Sequence, residues 1–450
     1  MPAEVAALAP FAAAGVLDAS EVQLAALLAR RAPGADDPTL LGAALAARAP
    51  RLGHVCVELA TVAGTVAVDG LGADALADLP WPEPAAWAAA LAASPLVHVG
   101  ATAPADAAGE VRPLVWDGAR LTLHRYARYE RGVAAALLAR AGAVAATLVP
   151  AEDLDALLDR FFGEEPAGAP DLQRRAAATA LTRPLAVVAG GPGTGKTRTV
   201  ARTLAVAQTA AAARGRALHV ALVAPTGKAA ARLTEAVHHE IDQVELDPGV
   251  ADRMRAAEAL TVHRLLGRAD GIRFRHDADD PVAHDLVVVD ESSMASLPLV
   301  ARLLDAVRPD AHVVLVGDPD QLASVEAGAV LGEIVRAAAG STAGAPLPDA
   351  VVRLDRVHRF GAESAIAALA DAIRGGDADT ALALLHDPER PDVALVDPTD
   401  GDALSALEDE LAEAATRLAA AAAAGDAAAA MAAALDVKVL AATRRGPNGV

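Results

Sequence analysis

A parallel α/β sheet preceded by a mostly helical N-terminal region is the fold class this sequence predicts, and three observations predict it. The first is the stretch Leu185 to Val200, LAVVAGGPGTGKTRTV. Its apolar run Leu185–Ala189 has the continuous character of a short strand buried on both faces. Gly190, Gly191, Pro192, Gly193, Thr194 and Gly195 then form a loop that Lys196 and Thr197 close, and a helical pattern follows. This is G-x-x-x-x-G-K-[ST] in its strand–loop–helix setting. The second observation is an alternation of short apolar runs and helical patterns from about Asp171 onward, the mark of βαβ units with right-handed crossovers. The third is the pair Asp290-Glu291 closing the run LVVV, two carboxylates at the end of a buried strand. Together they place the chain in the P-loop NTPase class, with its ligand at the carboxyl ends of the strands. No G-x-G-x-x-G dinucleotide fingerprint can be drawn through these glycines.

The bulk properties agree. At 450 residues the chain suits about three domains and can bury a sizeable core. It is 54% hydrophobic but only 2% aromatic, so the apolar content is mostly Ala, Val and Leu. No charge-free apolar run approaches the roughly 18 residues of a membrane span, and MPAEVAALAPFAAAG has no basic start, so neither a transmembrane helix nor a signal peptide is expected. The single cysteine, Cys56, excludes an intrachain disulfide framework and a multi-Cys zinc site, and it suits a reducing cytoplasm. The net charge of −20 argues against nucleic acid as a partner of the whole surface, though a local groove can still be basic. Only three of the 39 basic side chains are lysines, Lys196, Lys228 and Lys438. In a chain so biased to arginine, a retained lysine marks a need for a compact ammonium. Of five glutamines, Gln173 and Gln321 fall where nucleotide contacts are expected.

Residues 1 to about 110 read as Ala-rich helices broken by Pro and Gly, among them Glu21–Arg31 and Ala85–Ala93. Gly53–Ala60 is either a helical turn or a short strand. Arg112–Arg131 predicts a hairpin, with strands Leu114–Trp116 and Leu121–His124 around a type I′ turn at Asp117-Gly118. Arg125, Tyr126, Arg128, Tyr129 and Arg131 then interleave basic and aromatic side chains, suited either to stacking on single-stranded nucleic acid or to ordinary packing. A helical stretch from Gly132 to about Arg160 leads to GEEPAGAP (Gly163–Pro170), a linker and the expected domain boundary.

Beyond it the strands read as Leu185–Ala189, Leu218–Ala224, Leu286–Asp290 and His312–Gly317, with helices over Thr197–Ala213, Lys228–His239 and Leu297–Val307. In the loop, glycines let backbone N–H groups turn toward phosphate and the helix N-terminus adds its partial charge. Lys196 can reach the β- and γ-phosphates, and Thr197 offers its hydroxyl to Mg²⁺. Asp290 would hold that metal and Glu291 would polarise the attacking water as general base. Gln321, in HVVLVGDPDQLASVEAG, can span from the γ-phosphate to a neighbouring site, whereas Asp318 and Asp320 suit turn formation. Thr226, Gly227 and Lys228 follow a strand and can hold a nucleic-acid phosphate, unless Thr226 is a plain helix cap. His263, in TVHRLLG, has no second His or Cys at metal-ligand spacing and is a contact or packing residue.

After about Pro346 a further unit is expected, with a strand at Val351–Leu354, an amphipathic helix at Ser364–Arg374, an Ala-rich stretch from Ala403 to Asp436 that is helix or loosely specified connection, and a strand at Asp436–Ala441. A strand followed only by TRRGPNGV reads as interrupted, as in a fragment of a longer protein.

With these residues in hand, the chain resembles superfamily 1 DNA helicases, and within them the RecD family of exodeoxyribonuclease V (RecBCD) alpha subunits. Gln173 matches the adenine-reading Q motif, GGPGTGKT motif I and APTGKAAARL motif Ia, while TVHRLLG matches the following DNA-contact motif. VVDESSM matches motif II, GDPDQLASVEAGAVLG motif III, and RVHRF with SAIAALADAIRGGD motif IV, which makes Arg359 an arginine finger. GHVCVEL and LHRYARYE resemble the family's N-terminal domain, which contacts a partner subunit. The resemblance implies two RecA-like lobes with ATP and Mg²⁺ between them, moving 5′→3′ on single-stranded DNA, in a heterotrimer with RecB-like and RecC-like subunits and without a membrane. It also places motifs V and VI past Val450.

The expected domains are therefore 1–165, a mostly helical partner-interaction domain; 166–345, the first RecA-like lobe; and 346–450, the start of a second. A P-loop ATPase acting on a non-nucleic substrate is the alternative favoured by net charge, and a nucleotide-holding assembly subunit is another.

Overall fold

The computed structural model describes residues 2–68, 71–100, 111–143, 147–164, 170–267, 273–321, 327–342, 345–355, 364–390, 392–397 and 399–440. They fall into two units, Met1–Arg359 and Phe360–Val450.

The first unit opens with helices α1 (Ala19–Arg31), α2 (Asp37–Arg48) and α3 (Pro84–Ala93) against a four-stranded sheet of β1 (Cys56–Glu58), β2 (Val97–Val99), β3 (Leu114–Trp116) and β4 (Arg120–Leu123), in the order β1-β4-β3-β2. The helices start where carboxylates accept from free N–H groups: Asp18 and Glu21 form a capping box on α1, and Asp36 accepts from Thr39 N–H at 3.0 Å. Their apolar stripes and the inner face of the sheet bury one core around Phe11, Leu40, Leu45, Trp87, Leu91, Leu114 and Leu121. Gly53–Ala60 thus supplies a strand. The β3–β4 hairpin forms, but not through a type I′ turn at Asp117-Gly118. Gly118 alone carries positive φ (100°), and the Asp117 carboxylate accepts from the N–H groups of Ala119 (2.9 Å) and Arg120 (2.7 Å). A type I′ turn needs positive φ at both central residues, and Asp117 does not have it. His124 begins a helix instead of ending β4.

The second sheet has six strands, all parallel: β5 (Leu185–Gly190), β6 (Val220–Ala224), β7 (Leu260–Thr261), β8 (Leu286–Val289), β9 (His312–Gly317) and β10 (Val351–Leu354), in the order β10-β5-β9-β8-β6-β7. Alternate residues point to opposite faces. Leu185, Val187, Val289 and Leu315 enter one apolar core, and Ala186, Val188, Leu286 and Val314 the other. Both faces are covered, which is why these strands read as unbroken apolar runs.

Helices α4 (His124–Gly142) and α5 (Ala151–Phe162) belong to those covers. Tyr126, Val133 and Leu137 lie in the first core, and Leu158 and Phe161 in the second. The apolar core of the N-terminal region closes near Leu121, well before the linker at Gly163–Pro170 expected to end it. Helices long enough to look like part of the preceding domain are claimed by the next sheet's uncovered faces. Likewise β10, expected in the following unit, pairs in parallel with β5 from Val351↔Val187 to Leu354↔Gly190.

In the second unit the described residues form four helices, Ala365–Gly375, Ala378–Leu385, Gly401–Ala423 and Ala427–Asp436. The Ala-rich stretch is therefore helical, broken at Gly425 (φ 73°) and restarted by the Asp426 cap on Ala429 N–H. The expected strand at Asp436–Ala441 does not form in its described part. Asp436 ends a helix, and residues 437–440 take no strand conformation, since the described residues of this unit contain no strand for them to pair with.

Candidate active site

The site is assembled at the carboxyl ends of β5, β9 and β8, three neighbours in the sheet. After β5 the chain turns through Gly191 to Gly195 and enters helix α6 (Lys196–Ala213). Gly193 and Gly195 take φ of 78° and 83°, a backbone open to glycine at little cost, and Gly195 is the residue preceding the helix. The Thr194 side chain is 2% exposed, and its hydroxyl donates to the Gly191 carbonyl at 2.9 Å. Lys196 Nζ donates to the carbonyls of Gly190 (2.7 Å) and Gly191 (2.9 Å), which holds the ammonium over the loop. Thr197 is half-buried one residue into the helix, and Pro192 is exposed. An 18-residue helix thus directs its N-terminus at a loop of backbone donors.

β8 delivers Asp290, 7% exposed, whose N–H is bonded to the Val223 carbonyl at 2.8 Å. Burial pushes its carboxyl up to about 6; the Glu291 charge adds to this, while a Glu291 backbone hydrogen bond and Lys196 oppose it. A buried carboxylate beside phosphate donors and one ammonium fits a divalent cation, whose charge would offset the desolvation. Among the described residues no group of three or more His, Cys, Asp and Glu could hold a metal by itself, so a cation here would take most of its ligands from nucleotide and water.

A pH dependence follows. Because the folded pKa of about 6 lies above the ordinary 3.8, the folded chain binds this proton more tightly than the unfolded one. The group therefore disfavours folding increasingly as pH rises from 3.8 to 6, fully above that and not at all below 3.8. Asp290→Asn is expected to stabilise the metal-free protein by about 1 kcal/mol more at pH 8 than at pH 5. Urea midpoints at the two pH values check it, and an equal change at both contradicts it.

Glu291 follows with φ 49°, alone among the described non-glycine residues in having positive φ. The turn it makes is tied down by two serines that the sequence reading passed over. Ser292 hydroxyl donates to the Val316 carbonyl of β9 at 2.8 Å, and Ser293 hydroxyl donates to Gln321 Oε1 at 3.1 Å. The second bond fixes the Gln321 amide with its NH₂ end free of Ser293. Their signal was the position directly after two carboxylates at a strand end. Asp318 is buried and accepts from Asp320 N–H at 3.0 Å, the turn role expected of this pair.

The second set of expected residues lies on the neighbouring strands. β6 and β7 pair with Ala224 opposite Thr261, so Thr226 and His263 each lie two residues beyond the carboxyl ends of neighbouring strands, at the start of the helices that follow. Thr226 does cap its helix, accepting from Ala229 N–H at 3.2 Å, yet Thr226, Gly227 and Lys228 all remain exposed. His263 is exposed with its ring 5.7 Å from that of Phe274. Of the basic–aromatic stretch, Tyr126 is 7% exposed and packs edge-on to Tyr129 at 6.2 Å, while Arg302 stacks on Tyr129 at 5.7 Å. Packing accounts for these two tyrosines. Arg359 lies outside the described residues.

Comparison with known proteins fits this geometry. A family model described as an AAA domain matches residues 173–327, and one described as the N-terminal domain of RecBCD enzyme subunit RecD matches residues 13–121. The chain is 44% identical over 445 residues to RecBCD enzyme subunit RecD of Mycobacterium tuberculosis, covering 98% of this chain and 70% of that protein. To the subunit of the same description in Mycolicibacterium smegmatis it is 44% identical over 440 residues, 97% of this chain and 71% of that one. The ATP-dependent RecD2 DNA helicase of Deinococcus radiodurans is 39% identical over 194 residues, 43% of this chain and 22% of that protein.

Proposed function

The chain belongs to the RecD family of RecBCD enzyme subunits, and from that premise we propose how its residues divide the work. It is an ATP-hydrolysing DNA helicase subunit that assembles with RecB-like and RecC-like partners in double-strand break repair and recombination. The observation that carries the assignment of roles is the convergence of Lys196, Asp290 and the Ser293-bonded Gln321 at three adjacent strand ends. The backbone of residues 190–195 and Lys196 bind the triphosphate of ATP. Thr197 and Asp290 hold Mg²⁺, which when bound neutralises phosphate charge. Glu291 orients and deprotonates the attacking water. Gln321 senses the γ-phosphate and passes its state to the DNA-binding strand ends. Thr226, Gly227, Lys228 and His263 contact the phosphates of single-stranded DNA. Movement is 5′→3′ and the setting is cytoplasmic. Among the described residues no helix is long and apolar enough to cross a membrane. A P-loop ATPase indifferent to nucleic acid is not favoured by any of the relatives above.

The test is ATP turnover by the protein assembled with its partners, with and without an oligo-dT strand. Single-stranded DNA should stimulate turnover, and binding should weaken steeply with salt as counterions are released. Lys228→Ala should lower the salt slope by about one unit and weaken binding alike for every sequence. Turnover that ignores DNA in the complete assembly contradicts the proposal.

A further inference from the structure

We propose that a groove at the start of α4 is a further binding site for the phosphates of single-stranded DNA, apart from Thr226, Gly227, Lys228 and His263; the inference rests on the DNA-binding reading above. The groove encloses about 470 Å³ between the short turn Ala49–Leu52 of the N-terminal region, the first turns of α4 and the start of the helix Leu297–Ala306. Arg51 and Arg125 line it, and no described carboxylate does. In a chain of net charge −20 this is a local exception. Its position follows from how the two helices pack. Arg302 stacks on Tyr129 at 5.7 Å, and further along α4 the Arg140 guanidinium donates to the Val307 carbonyl at 2.9 Å. Residue numbers rise together along the pair, so the helices run parallel and both N-terminal turns border the groove, where Tyr126 and Pro298 line it. Neither first turn carries an acidic side chain, so the positive ends of both helix dipoles add to the arginines.

The donors differ in what already holds them. Arg51 is paired with Asp18 at 2.8 Å and donates from Nε to Glu21 at 3.2 Å, so its fork is fixed at the groove. Arg125 is exposed and makes no ion pair among the described residues; its guanidinium lies 5.3 Å from the centre of the Tyr126 ring. It is the uncompensated charge of the groove. Tyr126 is only 7% exposed, yet its hydroxyl makes no hydrogen bond among the described residues. A phenol buried to that degree ordinarily has a partner, and a phosphate oxygen held by Arg125 supplies one. The rings themselves are not available to bases. Arg125 lies over Tyr126, Arg302 lies over Tyr129, and the two rings pack edge-on to each other. What remains is a set of donors without a stacking platform, which recognises the backbone of a strand and not its bases.

The experiment is equilibrium binding of dT, dA and abasic strands of equal length to the full chain over a range of salt. Arg125→Ala should weaken all three strands alike, about fivefold, and lower the salt slope by roughly 0.7 to 1 unit. Arg125→Lys keeps the charge and should keep the slope. Tyr126→Phe keeps the ring and should weaken binding about threefold at an unchanged slope. Arg216→Ala is the control, an exposed arginine before β6 at the opposite, amino-end edge of the sheet, and should change nothing. A loss confined to dT and dA, with abasic binding intact, overturns the inference in favour of base stacking. An equal fall in slope for Arg216→Ala overturns it in favour of general surface charge. Intact DNA binding by Arg125→Ala with assembly onto the partner subunits lost overturns it in favour of an acidic protein segment as occupant. Wild-type protein without salt-dependent DNA binding removes the DNA-binding reading and this inference together; binding that Lys228→Ala weakens and Arg125→Ala does not removes the inference alone.

Discussion

Lys196→Ala is expected to lower ATP turnover about a thousandfold. The ammonium is held at 2.7 and 2.9 Å by the carbonyls of Gly190 and Gly191, so it is placed before substrate arrives and needs no reorganisation. Preplaced charge of this kind in a water-poor site stabilises developing phosphate charge by several kcal/mol, and removing one such donor costs about 10²–10³ in rate. Lys196→Arg should fail nearly as badly, because a planar fork does not fit the place of a compact ammonium between two carbonyls. Its retention in a chain with only three lysines is the compositional trace of that constraint. Phosphate release at saturating ATP and single-stranded DNA measures it, and a loss of less than about tenfold for the alanine variant contradicts the role.

Glu291→Gln is expected to keep nucleotide binding and lose turnover by about 10²–10⁴, the range of a positioned general base. Glu291→Gly should lose as much and separate chemistry from backbone. At φ 49° a residue with a Cβ carries left-handed strain, and the turn that imposes it is held by Ser292 on Val316 and Ser293 on Gln321. Glycine relieves that strain but adds chain entropy to the unfolded state, leaving a gain of up to about 1 kcal/mol. The glycine variant should therefore unfold at slightly higher urea than the glutamine variant while both are inactive. Single-turnover hydrolysis and urea midpoints on the two proteins check this. Equal midpoints contradict the strain, and retained hydrolysis contradicts the base.

Much of the site was legible because it is local. The phosphate loop, the Asp290-Glu291 pair and Gln321 each lie within a few residues of a buried strand's end, and a parallel sheet gathers such ends on one edge whatever the strand order. The central strands β5, β6, β8 and β9 were legible for a related reason, since burial on both faces leaves an unbroken apolar run. Residues acting through a neighbour were not. Ser293 is an ordinary serine until Gln321, 28 positions away, receives its hydroxyl. The sequence marks Gln173 as a nucleotide contact, but the Thr194 carbonyl it donates to lies 21 positions on, and no spacing rule connects the two.

The sequence by itself determined the class of chemistry, the family and the order of strands and helices around the loop, because capping, glycine geometry and apolar periodicity act over a few residues. Only the tertiary structure decided which unit each element serves. It gave α4 and α5 to the faces of the six-stranded sheet, seated β10 against β5, and left residues 437–440 without a strand. A helix stripe or an edge strand states that it must be covered or paired, not by what; the partner is chosen by whichever uncovered apolar surface the rest of the chain presents.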